Sequence, residues 1–431
     1  MPRDTAPASA PGQEPSRHRH ARAALSTLTA VVCLLVLALP LVSSGRSAAS
    51  SELVRALPAA SASVWPAAGQ AAVAVDDGDP SASPGRSPVP TASTAKVMTA
   101  YVFLSRYPLE PGQPGPSFTV SAEEAARHSA RSAGSESVVP LPAGQRMTER
   151  EALQALLAAS ANNVADELAR WYGSDPVAFV AEMNRTAHRL GMDSTHYTGP
   201  SGLHSTTVST AADQVRLFRA ALRLPEFADL AGSSYTDVLG HRHENTNPLL
   251  GHDGVFAGKT GTTTAAGSNL VFAARRETAA GSLTVVGAVM HQPDKAALEA
   301  AVGRLIAGSL VTAPVIHKGE VLAWAHDGWG RSFALHAAHD LDVTGPPGAQ
   351  VTVTVEPGTP PVPGTPAGTT AARAVAGVPR PAGAPHIARG SAGPPAGDVG
   401  LRTDAPLPRT PPLVWLAVRP WDWLSAAAAS S

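Results

Sequence analysis

Apolar and polar positions follow two different rhythms along this chain. Val97, Ala100, Tyr101 and Leu104 recur at helical spacing, which predicts a helix from Ala92 or Ser93 to just before Pro108. Residues 149–171 carry the same period, broken once by the polar run Ser160-Ala161-Asn162-Asn163. Residues 176–190 and 211–222 predict two more helices, the second opened by a capping segment, Ser209-Thr210-Ala211-Ala212-Asp213. Strand signals flank this helical stretch. Residues 71–75 form a β-prone run that ends in the turn Asp76-Asp77-Gly78-Asp79-Pro80. Further strands are predicted at 254–260, 268–276 and 283–291, followed by a helix at 294–310.

Strands at both ends with helices between them predict an α+β domain over residues 64–310. Its antiparallel sheet is covered by helices, and a helical subdomain is inserted between the strands. Residues 314–356 carry only strand and turn signals and read as a small C-terminal β-module. Residues 357–412 hold 14 prolines in 56 positions with no apolar period, so a disordered tail is expected there. Residues 413–431 bring Trp415, Trp421 and Trp423 close together. Pro420 breaks any helix there, which favours a sticky end or a strand over a membrane-surface helix.

The N-terminus has its own pattern. Arg3, Arg17, Arg19 and Arg22 precede an uncharged run, residues 23–42, with small residues after it. Residues 1–50 therefore read as a cytoplasmic basic start followed by a signal peptide. The run is also long enough to attach the protein to the cytoplasmic membrane as an uncleaved anchor. Either way Ser47 onward is extracytoplasmic, secreted to the cell envelope or held at the membrane. The single cysteine, Cys33, lies inside this run, so the exported part holds no internal disulfide.

A net charge of -1 argues against nucleic acid as a partner. The informative bias is within the basic residues. Of 33 lysines and arginines only Lys96, Lys259, Lys295 and Lys318 are lysine. Arginine cannot replace lysine as a titratable base, so each surviving lysine is a candidate for chemistry.

Two of the four sit in short motifs. Ser93-Thr94-Ala95-Lys96 puts a hydroxyl and an amine three residues apart, on one face of a helix. Serine needs an adjacent base to become a nucleophile, and lysine serves as one only if its pKa falls. Free backbone N–H groups at a helix start would also face a developing oxyanion. Lys259-Thr260-Gly261, on a predicted strand, offers a cation and a hydroxyl to a carboxylate, and the glycine permits close approach. Ser160-Ala161-Asn162 breaks a helix between them. His241, His243 and Glu244 resemble metal ligands but lack a further partner, so no metal and no cofactor is expected. His204 beside Ser201 reads as structural.

The order S-x-x-K, S-x-N, K-T-G, separated by 67 and 99 residues, is that of penicillin-binding proteins and serine β-lactamases. With Met183-Asn184, Leu190-Gly191-Met192, Ser201-Gly202-Leu203 and Ala265-Ala266-Gly267, the chain resembles the low-molecular-mass D-alanyl-D-alanine carboxypeptidases. The resemblance implies a β-lactamase/DD-peptidase-like fold and removal of the terminal D-Ala from peptidoglycan stem peptides. It implies Ser93 as nucleophile, Lys96 as general base and Ser160 as proton shuttle. It implies Lys259 and Thr260 on the terminal carboxylate and Asn162 on the substrate backbone. Gly261 completes the K-T-G motif, and the resemblance implies that the N–H groups of Ser93 and Thr262 would form the oxyanion hole. It further implies inhibition by β-lactams through acylation of Ser93. Gly199-Pro200, where the family often has Asn-Pro or Asp-Pro, and Ala257-Gly258, where a branched residue is usual, depart from its pattern. A β-lactamase of class A would need a glutamate on a loop between S-x-N and K-T-G; Glu182 and Glu226 lie in that interval without an obvious motif.

Overall fold

The computed structural model describes residues 52–409 apart from 174, 327–330, 360, 363 and 379–395. The expected signal peptide or anchor, Cys33 and the segment 413–431 lie outside the described residues. Among the described residues no helix is long and apolar enough to cross a membrane.

The strands that build the two main sheets are, in chain order, β1 (Glu52–Ala56), β2 (Gln70–Val75), β3 (Ser81–Ala82), β4 (Val255–Thr263), β5 (Gly267–Thr278) and β6 (Gly281–Gln292). They continue with β7 (Val321–His326), β8 (Ser332–Ala337), β9 (Gln350–Pro357), β10 (Thr370–Gly377) and β11 (Gly397–Thr403). The first sheet has the order β4-β5-β6-β2-β3 and is antiparallel throughout. Residues remote in sequence thus meet: β2 pairs with β6 through Val73 and Gly287.

Period-two alternation splits this sheet into two buried faces. Ala72, Ala74, Val271, Ala273, Val286 and Ala288 face the helical core. Val73, Val75, Leu270, Phe272, Val285 and Val289 face a helix near the domain's end, Lys295–Ala307. That helix starts where Asp294 accepts a hydrogen bond from the N–H of Ala297. An α+β fold with a sheet covered on both faces is what the alternation of strand and helix signals predicts.

Between β3 and β4 lie α1 (Lys96–Arg106), α2 (Ala122–Ala133), α3 (Glu149–Leu157), α4 (Asn162–Gly173), α5 (Pro176–Arg189) and α6 (Ala211–Ala221). A capping box at Thr148 and Glu151 starts α3. Asp175 caps α5, with Pro176 at its first position. The apolar pattern does not predict α2, whose only buried residue is Glu124. Charges hold that helix down. Glu124 meets Arg131 (2.6 Å) and Arg170 (3.3 Å), and Arg131 also reaches Asp166 of α4.

The second sheet corrects the boundaries of the β-module. Its order is β1-β9-β10-β11-β8-β7, so it takes one strand from before the first sheet and two from the region read as a tail. A two-stranded ladder, Val311–Ile316 with Leu341–Gly345, lies beside it. The module therefore exceeds 314–356, and residues 370–377 and 397–403 are ordered strands. The reason is compositional. β10 buries Ala371, Ala372, Ala374 and Ala376, and β11 buries Val399 and Leu401. Alanine is a weak strand former, and the surrounding prolines mask its alternation.

Candidate active site

The three motifs converge at one edge of the first sheet. Ser93 lies in a 3-10 turn, Ala92–Ala95, that leads into α1, whose first residue is Lys96. In a 3-10 turn residues three apart eclipse one another, so the hydroxyl and the amine meet as they would on a helix face. Lys96 Nζ stands 2.8 Å from Ser93 Oγ. Ala92, just before Ser93, has φ +48°, a strained value for a residue with a side chain. The turn is held in that state from several sides. The N–H of Thr91 donates to the carbonyl of Thr207 (3.0 Å). Asn269 Nδ2 on β5 donates to the carbonyls of Pro90 (3.1 Å) and Thr91 (2.9 Å).

Lys96 is fully buried and has three oxygen partners. Besides Ser93 these are Asn162 Oδ1 at 2.7 Å and the carbonyl of Ser201 at 3.1 Å. Burial holds its pKa well below the ordinary lysine range, and the Lys259 ammonium lowers it further. Asp166 and Glu136 act in the opposite direction with less effect. Lys259 is also fully buried, and burial brings its pKa down to about 7. Its Nζ donates to the carbonyl of Thr260 at 2.9 Å.

Ser160 occupies the break between α3 and α4 with φ +60°. The N–H of Asn162 donates to the carbonyl of Ser137 (2.7 Å), and the N–H of Thr246 to that of Ala158 (3.1 Å). These bonds fasten the S-x-N turn to its neighbours on both sides. A cleft of about 430 Å³ is lined by Ser93, Ser160, Thr260, Gly261 and Thr262, with Thr246 and Ser137 on its walls. Thr246 Oγ1 and Thr260 Oγ1 are 2.6 Å apart. Lys295, one of the four lysines but part of none of the motifs, is exposed and lines this cleft. A second groove, of about 910 Å³, touches the same network through Glu136 and Ser201.

Three residues expected to meet substrate have close partners within the protein. Asn162, expected on substrate, does not line the cleft; its amide lies between Lys96 and Glu136. Lys259 is likewise behind the wall, with Thr260 presented to the cleft in front of it. Gly261 was expected to admit a substrate; its close neighbour is the nucleophile's own turn, where an added Cβ would stand 2.8 Å from the nitrogen of Ser93. Sequence reading missed Glu136, Thr246 and Asn269, and gave the carbonyl of Ser201 no role. Each acts through a long-range or backbone contact that leaves no spacing signal.

Glu226 pairs with Arg150 (2.6 Å) and Glu182 with Arg185 and Arg189 (both 2.7 Å), so neither candidate for a deacylating glutamate lines the cleft. His241, His243 and Glu244 lie on a hairpin strand, His241–Glu244. Among the described residues no group of three His, Cys, Asp or Glu side chains is placed to hold a metal ion.

A serine turn with a buried lysine at its side, the lysine's pKa held well below its ordinary range, is the arrangement that a serine nucleophile with a lysine base requires. Residues 82–292 match the sequence profile of the D-alanyl-D-alanine carboxypeptidase family. That match takes in all three motifs, Ser93 to Lys96, Ser160 to Asn162 and Lys259 to Gly261. It is 36% identical over 195 residues to the D-alanyl-D-alanine carboxypeptidase DacB2 of Mycobacterium tuberculosis, a match covering 43% of this chain and 62% of that one. The chain thus spans less than two thirds of that relative's length. Penicillin binding protein 5 from Haemophilus influenzae has the same fold, with a TM-score of 0.53 at 20% identity over 80% of this chain and 98% of its own. A mutant of the Streptomyces K15 DD-transpeptidase superposes with a TM-score of 0.50 at 26% identity, over 56% of this chain and 96% of its own.

Proposed function

We propose that the protein is a serine-type D-alanyl-D-alanine carboxypeptidase acting outside the cytoplasm on peptidoglycan stem peptides. One observation carries the reading: Lys96 is buried without a carboxylate partner and shares three oxygen contacts with Ser93, Asn162 and Ser201.

A neutral amine has two N–H donors and one lone pair. Asn162 Oδ1 and the Ser201 carbonyl can only accept, so they take the two hydrogens. The lone pair is left facing Ser93 Oγ, whose O–H then donates to it. Ser93 Oγ attacks the carbonyl carbon of the D-Ala-D-Ala bond, and its proton passes to Lys96 Nζ. The negative charge on the carbonyl oxygen falls to the N–H groups of Ser93 and Thr262. When the C–N bond breaks, the leaving amine takes up that proton by way of the Ser160 hydroxyl. Water then releases the acyl group from Ser93 along the reverse proton path. Thr260, with the Lys259 charge behind it, holds the terminal carboxylate beside Gly261. A β-lactam presents a carboxylate and a strained amide in the same relation and acylates Ser93. The basic start and uncharged run of residues 1–50 support an extracytoplasmic site of action, with attachment to the membrane through residues 23–42 if they are retained.

The test uses the full-length protein, a pentapeptide ending in D-Ala-D-Ala, and mass spectrometry after penicillin treatment. Free D-Ala and an adduct on Ser93 are expected, both abolished in Ser93→Ala. Absence of both from wild type would sink the reading. Cleavage of cross-linked muropeptides without release of terminal D-Ala would reassign the enzyme as an endopeptidase.

A further inference from the structure

The orientation of a buried asparagine amide is set by its partners, because oxygen and nitrogen differ only in what they bond. Asn162 Oδ1 faces Lys96 Nζ at 2.7 Å, and Asn162 Nδ2 faces Glu136 Oε2 at 2.9 Å. Reversing the amide would turn its NH2 group toward Lys96. Against an ammonium, donor would meet donor. Against a neutral amine, the amide N–H would donate into the lone pair that the Ser93 proton needs. Nothing in Lys96 prevents the second arrangement. Glu136 does, because a carboxylate can only accept and therefore holds the NH2 end.

Glu136 is itself fixed. Arg131 Nη1 donates to Glu136 Oε2 at 2.9 Å, while the same guanidinium binds Glu124 and Asp166. The backbone beside it is tied to the S-x-N turn through the bond from the Asn162 N–H to the Ser137 carbonyl. We propose that Glu136 is a positioning residue: it fixes the Asn162 amide with its oxygen toward Lys96 and so keeps the Lys96 lone pair on Ser93. This rests on the Ser–Lys reading above and adds a residue that none of the three motifs contains.

The charged groups around Glu136 are Arg131 of α2, Asp166 of α4 and, across Asn162, Lys96 of α1. Arg127, His196 and His204 line the groove on its open side. Of the charges acting on Lys96, Glu136 and Asp166 favour the ammonium and Lys259 opposes it. Removing the Glu136 charge therefore makes Lys96 easier to deprotonate and moves the acid limb of acylation to lower pH. A residue that merely braced the fold would not move that limb.

The experiment measures the rate of acylation by a fluorescent penicillin against pH for full-length wild type, Glu136→Ala and Glu136→Gln. Glu136→Ala, which frees the amide, is expected to slow acylation on the order of 10- to 100-fold. Glu136→Gln keeps an acceptor oxygen for Asn162; it is expected to recover most of the rate and to shift the acid limb to lower pH. The proposal is overturned if Glu136→Ala acylates within about twofold of wild type. It is equally overturned if both variants are slow with the wild-type pH profile. Should Glu136→Ala fail to fold, the position of the acid limb in Glu136→Gln decides alone. Failure of wild type itself to be labelled at Ser93 is a separate outcome, which removes the Ser–Lys reading and this inference with it.

Discussion

Gly261 stands against Ser93 with no room for a side chain. A Cβ built on Gly261 would lie 2.8 Å from the nitrogen of Ser93, 2.9 Å from the carbonyl oxygen of Thr91 and 2.9 Å from the nitrogen of Thr94. All three are backbone atoms in a turn already strained at Ala92, so the neighbour cannot yield cheaply. The K-T-G strand and the Ser93 turn are two halves of one rigid contact. The N–H groups proposed for the oxyanion hole, those of Ser93 and Thr262, come from its two sides.

Gly261→Ala is therefore expected to push β4 away from the Ser93 turn. A displacement of the order of an ångström costs about 100-fold in rate when it separates the two oxyanion donors. Overpacking adds a loss of about 1–3 kcal/mol in stability. Penicillin acylation kinetics alongside chemical denaturation would check both. An unaltered acylation rate would show that the contact has slack the structure does not reveal.

Lys259 acts on Lys96 through charge. Its ammonium disfavours a second cation nearby, so it depresses the Lys96 pKa. Lys259→Met is expected to raise the Lys96 pKa, and the acid limb of acylation should move to higher pH. This is opposite in sign to the shift expected from Glu136→Gln, and the two variants measured together separate charge effects from general damage. A Lys259→Met profile with its acid limb in place would mean that Lys259 serves substrate binding alone.

Asn269 is fully buried and makes three bonds: two from Nδ2 to Pro90 and Thr91, and one from the N–H of His291 to its Oδ1 at 2.7 Å. It ties the nucleophile turn to β5 and β6. Asn269→Leu keeps the approximate volume but takes one donor from each of the Pro90 and Thr91 carbonyls and leaves the N–H of His291 without its acceptor. A loss of about 2–4 kcal/mol is expected, readable as a lower denaturation midpoint. Because the lost bonds anchor Thr91, acylation of the remaining folded protein should slow as well. A stability loss with unchanged acylation would place the role of Asn269 in the sheet only.

Much of this site is legible in the sequence because of chemistry that only lysine can do. Lys96 and Lys259 stand out among 33 basic residues of which just four are lysine, and Ser93 and Thr260 follow from them. The helices around them are legible because Val97, Ala100 and Leu104 or Val215 and Phe218 point one way into a core. What is not legible depends on distance in the chain. Glu136 meets Asn162 from 26 residues away, and Asn269 reaches Thr91 across 178. The Ser201 carbonyl is a backbone group that any residue would supply. The partners of Asn162 are hidden for a related reason: its type fits either a substrate amide or a lysine, and its contact with Glu136 comes from a distant part of the chain. In the β-module, alanine and glycine carry strands that composition alone assigns to a spacer.

Glu149 is not among the residues that line the cleft and sits at odds with its surroundings. It is fully buried at the start of α3, and neither carboxylate oxygen has a hydrogen-bond partner. The turn at Gly115 closes over it so tightly that a Cβ there would lie 2.7 Å from Glu149 Oε2. Burial pushes its pKa up to about 7 from an ordinary 4.5. The consequence for stability has a definite sign. Below pH 4.5 the carboxyl is protonated whether the chain is folded or not, and no penalty arises. Between pH 4.5 and about 7 the unfolded chain loses the proton while the folded one keeps it, so stability falls as pH rises. Above about 7 both states are ionised and the loss is complete. Glu149→Gln removes the titration, keeps the shape and should be more stable than wild type at alkaline pH, on the order of 1–3 kcal/mol. Thermal unfolding of the two proteins at several pH values should show this gap closing toward pH 4.5 and constant above neutrality. A gap that does not change with pH would mean that the Glu149 carboxyl is solvated in solution.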